Sequence, residues 1–273
     1  MRGTVVVFRD ITEEKAAREQ QQRELLDYSW AARVRDALAH DAFVLFAQPI
    51  VEIATRETTQ YELLLRLSSD GSVVLPGEFL PAAERLGLMG EIDEWVIREA
   101  IRLAATGHHL QVNLSADSLS SPQLCEEIES RLISAAVDPS LIVVEITETS
   151  LVKNEVAAAQ ILQRLADLGC QIALDDFGTG YGGFTYLKRL PVHYLKIDIE
   201  FVRDLTSDRS NRAVIEAVVN LARGFGQKTI AEGVEDEATL ALLAELGVDY
   251  AQGYLFGHPE PAERALAPVR STP

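Results

Sequence analysis

"IALDDFGTGYGG" (residues 172–183) runs from an apolar segment into two adjacent aspartates, then into four glycines within six residues. Two carboxylates held about 4 Å apart repel by roughly 4 kcal/mol at an effective dielectric of 20. A fold keeps Asp175 beside Asp176 only with a counter-charge: a basic side chain, a proton or a metal ion. The glycines let the backbone turn sharply and approach a ligand closely. The question is whether other apolar runs end in the same way.

From residue 41 onward, short runs rich in Val, Ile and Leu alternate with helix-length stretches. The runs are "FVLFAQPI" (43–50), "YELLLRL" (61–67), "LQVNLS" (110–115), "LIVVEITE" (141–148), "QIALDD" (171–176), "YLKIDI" (194–199), "QKTIAEG" (227–233) and "DYAQGYLF" (249–256). Stretches such as "NEVAAAQILQRLADLG" and "DEATLALLAELG" lie between them and end in Gly, as a helix C-cap does. Eight strands alternating with helices predict an α/β fold, a TIM-like (β/α)8 barrel. An open doubly wound sheet fits less well, because no GxGxxG follows the first strand.

Upstream, "TVVVFR" (4–9) reads as a short strand, and residues 10–40 contain no Gly or Pro and read as one long helix. Leu26, Trp30, Val34 and Leu38 recur every four residues and form one apolar stripe. Packing on the following domain and pairing with a second chain both explain it.

The chain has 273 residues and a formal net charge of −17, which argues against coating DNA or an anionic membrane. No apolar run approaches the roughly 20 residues a membrane span needs. Cys125 and Cys170 show no metal-ligand spacing and read as reduced thiols of a cytoplasmic protein. The five histidines, among them the His108–His109 pair, form no zinc motif.

The strand ends are consistent. Asn113 follows "LQV", Glu145 follows "LIVV", Asp175 and Asp176 follow "QIAL", Lys196 and Asp198 interrupt "YLKIDI", Glu232 follows "KTIA", and Gln252 precedes "GYLF". In a parallel barrel these ends ring one mouth, where such folds keep their chemistry. Glu62 breaks the rule by preceding its run, which predicts that its strand is reversed. Several positions also have a plain structural explanation: Asp175 and Asp176 as a helix N-cap with a solvent-facing neighbour, Lys196 as a partner of Asp198, Asn113 or Ser115 as a helix cap, Glu235 as a post-strand residue. Apart from Lys196 the set offers only oxygen, which suits Mg²⁺ or Mn²⁺. Converging carboxylates need more than one divalent cation, and two such ions roughly 3.5–4 Å apart are the usual device for phosphodiester hydrolysis.

"YELLLR", "VNLS", "EITE", "DDFGTGY", "LKID", "AEGVE" and "QGYLFG", in this order, resemble the EAL-domain cyclic-di-GMP phosphodiesterases over roughly residues 41–260. The resemblance implies a barrel with one antiparallel strand and hydrolysis of cyclic di-GMP to linear pGpG with two Mg²⁺ or Mn²⁺ ions. It implies metal ligation by Glu62, Asn113, Glu145, Asp175, Asp176 and Glu232, with Lys196, Glu232 and Glu62 as catalytic residues and Lys196 holding the attacking water. Gln48, Arg66 and Gln252 would bind substrate or support the site. Glu148, Asp198 and Glu235 would be supporting residues, Glu148 as anchor of the glycine loop; Tyr181 itself reads as a loop anchor rather than a substrate contact. Three departures stand out: Glu-Leu-Leu for Glu-Ala-Leu at 62–64, Leu67 where Trp is common, and "GYGGF" for "GYSSL". No metal ligand is missing, which favours an enzyme over a silent cyclic-di-GMP receptor signalling through a partner. Residues 1–12 resemble the end of a PAS domain. The expected organisation is therefore a PAS remnant (1–12), a linker helix (13–40), the phosphodiesterase domain (41–265) and a tail (266–273), in a homodimer under an upstream sensor.

Overall fold

The computed structural model describes residues 12–69, 71–153, 155–178 and 187–267. The expected N-terminal strand with its PAS likeness, most of the glycine loop with Tyr181, and residues 268–273 lie outside the described residues.

Eight strands close a barrel in the order β1 (Phe43–Glu52), β2 (Thr58–Ser69), β4 (His109–Asn113), β5 (Ile142–Thr147), β6 (Gln171–Phe177), β7 (Tyr194–Ile197), β8 (Lys228–Ala231), β9 (Tyr250–Gln252) and back to β1. Two short strands extend the rim: β3 (Ser72–Val74) on β2 and β10 (Glu260–Pro261) on β1. A long helix, α1 (Thr12–Ala39), precedes the barrel. The shell comprises α2 (Pro76–Arg85), α3 (Met89–Ala104), α4 (Pro122–Ala135), α5 (Glu148–Lys153), α6 (Glu155–Asp167), α7 (Ile199–Arg203), α8 (Arg209–Phe225), α9 (Glu237–Leu246) and α10 (Ala262–Ala265).

The helix ends are legible in the chain. Asp208 accepts from Ser210 N at 2.7 Å to open α8, and Gly226, at φ 72°, closes it. Asp236 accepts from Thr239 N at 2.8 Å to open α9. Such caps satisfy N–H groups the helix leaves unbonded, each contributing about 1 kcal/mol.

One strand is reversed, as expected, but it is not the strand of Glu62. β2 runs parallel to β4, with Glu62 opposite Gln111, whereas β1 runs antiparallel to both β2 and β9. The cause is the short connection at residues 53–57: a hairpin joins antiparallel neighbours, and a parallel return needs about a dozen residues. β2 also overshoots the mouth, because its far end pairs with the start of β1 and with β3. Glu62 therefore lies mid-strand, and the leucines after it belong to the overshoot.

Side chains two residues apart on a strand share a face. The lumen layer is Ile50, Val143, Ala173, Tyr194 and Ile230, with Tyr250 against it. On the parallel strands the next lumen position is two residues on: Glu145, Asp175, Lys196, Glu232 and Gln252. On reversed β1 it is two residues back, at Gln48. The odd residues of β2 face outward, so Leu67, 2% exposed, packs in the shell. Trp in its place would be a packing change.

Candidate active site

Asp175 and Asp176 lie side by side because β6 bulges there. Leu174 pairs with Leu195 and Phe177 with Ile197, so two aspartates face the single residue Lys196. Asp176 takes the left-handed conformation at φ 55°, which Asp tolerates better than most residues. Gly178 follows at φ 103°, turning the chain off the strand beside Phe201.

Lys196 is the hub. It is 1% exposed. Its Nζ lies 2.5 Å from Glu145 Oε1, 2.5 Å from Glu232 Oε1, 3.4 Å from Glu62 Oε2 and 3.8 Å from Asp175 Oδ1. Burial works against its charge, but Glu145, Glu232, Glu62 and Asp175 outweigh it and hold the ammonium protonated well above the usual lysine range. Without a metal among these carboxylates, Lys196 is held as a cation. The carboxylates bear the opposite strain. Burial first, then Glu62, push Glu145 well up. Burial, partly offset by Lys196, takes Glu232 to about 7. On the far side of the bulge, burial and the neighbouring Asp175 and Asp198 raise Asp176 to about 6.

Amides hold the acids in place. Asn113 Nδ2 donates to Glu62 Oε1 at 3.0 Å, and Gln252 Nε2 donates to Glu62 Oε2 at 2.7 Å. Gln252 Nε2 also donates to Gln48 Oε1 at 3.0 Å. Above this ring is a cleft of about 390 Å³, within the size range of small-molecule sites.

The arrangement fits a hard divalent cation. One oxygen each from Glu62, Glu145 and Glu232 lie within 4.8 Å of one another. Glu145 Oε2, Asp175 Oδ1 and Gln252 Oε1 are buried and accept no hydrogen bond, as oxygens awaiting a cation or its bound water do. Four carboxylates face one ammonium. Burial and mutual repulsion raise Glu145 and Glu232, the direction expected of crowded carboxylates that a cation would stabilise in their charged form.

Of the remaining candidates, Arg66 lies two pleats above Glu62, donates to Leu65 O at 2.8 Å and sits over the Phe46 ring. Asp198 accepts from Glu200 N at 2.6 Å as cap of α7, besides its contact with Asp176. Glu235 lines the cleft. Glu148 is 4% exposed at the head of α5, and the loop it was expected to anchor lies largely outside the described residues. The sequence reading missed Arg203 and Tyr254, which line the cleft. Tyr254 stood in plain view in "QGYLFG", two residues past Gln252. It also missed Asp93, 3% exposed on α3, which accepts from Ser115 N at 2.9 Å and Ser118 Oγ at 2.6 Å and so pins the chain just after Asn113. Nothing in the helix pattern marked that residue.

The pattern of the EAL domain matches residues 31–259. The chain belongs to the EAL-domain family. It is 39% identical over 244 residues to the bifunctional diguanylate cyclase/cyclic di-GMP phosphodiesterase MucR of Pseudomonas aeruginosa, covering 86% of this chain and 36% of MucR. It is 36% identical over 248 residues to the cyclic di-GMP phosphodiesterase PdeF of Escherichia coli, covering 88% of this chain and 33% of PdeF. The chain thus spans about a third of the length of these relatives. Among solved structures, the PaMucR phosphodiesterase in complex with c-di-GMP superposes with a TM-score of 0.81 at 37% identity, covering 87% of this chain and 99% of that one. The Xanthomonas citri FimX EAL domain in complex with c-di-GMP gives 0.81 at 29% identity, covering 89% and 97%. Among the described residues no helix is long and apolar enough to cross a membrane.

Proposed function

We propose that this EAL domain hydrolyses cyclic di-GMP to linear pGpG with two Mg²⁺ or Mn²⁺ ions. The observation that carries the reading is the ring of Glu62, Glu145, Asp175 and Glu232 around one buried lysine, with orphaned oxygens on Glu145 and Asp175. The named activities of MucR and PdeF support it.

In this reading Glu62, Asn113, Glu145, Asp175, Asp176 and Glu232 hold the metals. When bound, such ions neutralise phosphate charge and make water a nucleophile near neutral pH. Lys196 stays protonated and orients the attacking water by donating to its oxygen. Glu232 sits where a carboxylate can accept a proton from that water. Asn113 and Gln252 fix the two oxygens of Glu62, and Arg66 meets the substrate's phosphate from the rim. An upstream sensor acts through α1, the protein is a cytoplasmic homodimer, and residues 13–40 are its linker.

The test is to incubate the protein with cyclic di-GMP and Mg²⁺ or Mn²⁺ and separate the products. Linear pGpG that vanishes with EDTA supports the reading. Tight binding without any linear product leaves a receptor instead.

A further inference from the structure

Gln48 is the one mouth residue delivered by the reversed strand, and its position is unusual. On β1 it stands directly opposite Glu62 of β2, while Ile50, two residues on, stands opposite Gln252 of β9. β1 is thus wedged between the strands that carry these two residues. Gln48 is 8% exposed and Gln252 is 5% exposed at the wall of the cleft, so solvent replaces a lost partner poorly.

Both polar ends of Gln48 are taken by protein. Its Oε1 accepts from Gln252 Nε2 at 3.0 Å, and its Nε2 donates to the Gly257 carbonyl at 3.2 Å. Gln252 Nε2 spends its second hydrogen on Glu62 Oε2 at 2.7 Å. A continuous chain therefore runs from Gly257 through Gln48 and Gln252 to Glu62. Its outer end is seated closely: a Cβ on Gly257 would lie 3.2 Å from Pro49 Cγ, so glycine lets the segment after β9 dock on β1 beside Gln48.

We infer that Gln48 is a positioning residue: it acts through Gln252 on Glu62 and ties that carboxylate to the docked segment at Gly257. This differs from the substrate contact implied by family resemblance. It rests on the phosphodiesterase reading for its consequence in turnover, though not for its consequence in metal binding. The physical logic is that Gln252 has a fixed pair of hydrogens. Without Gln48 Oε1 as acceptor, its amide is less fixed and Glu62 Oε2 is held less firmly, while Asn113 still holds Oε1. Small displacements of a reacting group cost rate steeply, about 100-fold per ångström in unfavourable cases.

The experiment compares Gln48→Met, which keeps bulk and removes both polar ends, with Gln48→Glu, which keeps an oxygen for Gln252. Each variant is read by thermal melting, by Mn²⁺ affinity of the substrate-free protein, and by kcat and KM for cyclic di-GMP. The positioning role predicts that Gln48→Met lowers kcat at least tenfold, leaves KM within about threefold and weakens Mn²⁺ binding several-fold. It predicts that Gln48→Glu recovers part of both losses. Combining Gln48→Met with Gln252→Met should weaken Mn²⁺ binding little more than the worse single variant, since both cut one chain. A tenfold rise in KM with kcat and Mn²⁺ affinity unchanged overturns the inference, as does Gln48→Glu being worse than Gln48→Met. Additive losses in the double variant overturn it too. Were the wild-type protein inert toward cyclic di-GMP, the phosphodiesterase reading would fall, and the Mn²⁺ measurements would still decide the chain.

Discussion

The lumen of the barrel and the shell around it are built on opposite principles. The lumen's apolar layer holds five buried residues, Ala173 and Tyr194 among them, and above it stand charges that repel one another. The shell is one continuous apolar cluster that joins α1, every large helix and the outer faces of the strands. A fully buried Leu or Ile side chain contributes roughly 1.5–3 kcal/mol. Stability therefore resides outside the barrel, which leaves the inside free to hold an arrangement that is costly without its ligand.

The largest effects should come from breaking the lumen. Lys196→Met removes the cation that pairs with all four carboxylates. Turnover should fall by about 100- to 1,000-fold, the range seen when a preorganised donor is lost. Chelation should abolish turnover outright, and Asp176→Asn should do so by weakening the second metal. Product formation measured at matched folded protein checks all three, and near-normal hydrolysis in EDTA would end the two-metal account.

The shell predicts the reverse pattern. Leu162 and Leu165 of α6 are fully buried. Leu165→Ala should cost about 2–5 kcal/mol in denaturant unfolding. Turnover per folded molecule should stay within a few-fold. A large loss of turnover at full folding would mean that shell and lumen are not separable.

That separation also explains what the sequence disclosed. The shell and the barrel were legible because apolar runs and capped helices obey fixed periods. Asn113, Glu145, Asp175, Lys196, Glu232 and Gln252 were legible because lumen positions recur two residues past a buried one. The reversed strand was misplaced because Glu62 was judged by the leucines after it. The short hairpin at 53–57, visible in the chain, was the better sign. Asp93 and Arg203 were missed since their work depends on what lies across a helix or a cleft, and no local period carries that.

The pH dependence sharpens the comparison further. Burial and the neighbouring acids raise Glu232 to about 7, against a lower ordinary value. A folded carboxyl with a raised pKa contributes stability at low pH that is lost as pH rises through the folded value. Metal-free protein should therefore lose stability between about pH 4.5 and 7, on the order of 3 kcal/mol from this group. Melting in EDTA from pH 5 to 8, with Glu232→Gln as control, measures it. The control should show a smaller fall, and Mg²⁺ should restore the wild type above pH 7. Equal pH slopes would show that Glu232 does not bear the strain.

A smaller effect is expected at the bulge. Asp176 holds φ 55°, a conformation glycine adopts freely. Asp176→Gly should raise the melting stability of the metal-free protein by about 1 kcal/mol while abolishing turnover. A destabilised variant would show that the carboxyl's contact with Asp198 outweighs the backbone strain.

The smallest effect tests where the shell stops. The stripe of α1 divides along its length. Val34 is fully buried, and Trp30 and Leu38 pack on the core, with Trp30 6.5 Å from the Phe79 ring. Asp27 ties the helix to Arg85 through paired bonds of 2.6 and 2.7 Å. One turn earlier Leu26 is 59% exposed, with Leu25 and Tyr28 beside it more exposed still. Packing on the barrel thus accounts for the second half of the stripe and leaves the first half exposed. Val34→Asp should unfold much of the protein, since it buries an unpaired charge. Leu26→Gln should change monomer stability by no more than about 0.5 kcal/mol, as surface substitutions do. If the first half pairs two chains, the same Leu26→Gln, combined with Leu25→Gln, should shift the sedimenting mass toward the monomer. If mass is unchanged while stability drops by several kcal/mol, Leu26 belongs to the shell after all, and the boundary drawn here at Trp30 is wrong.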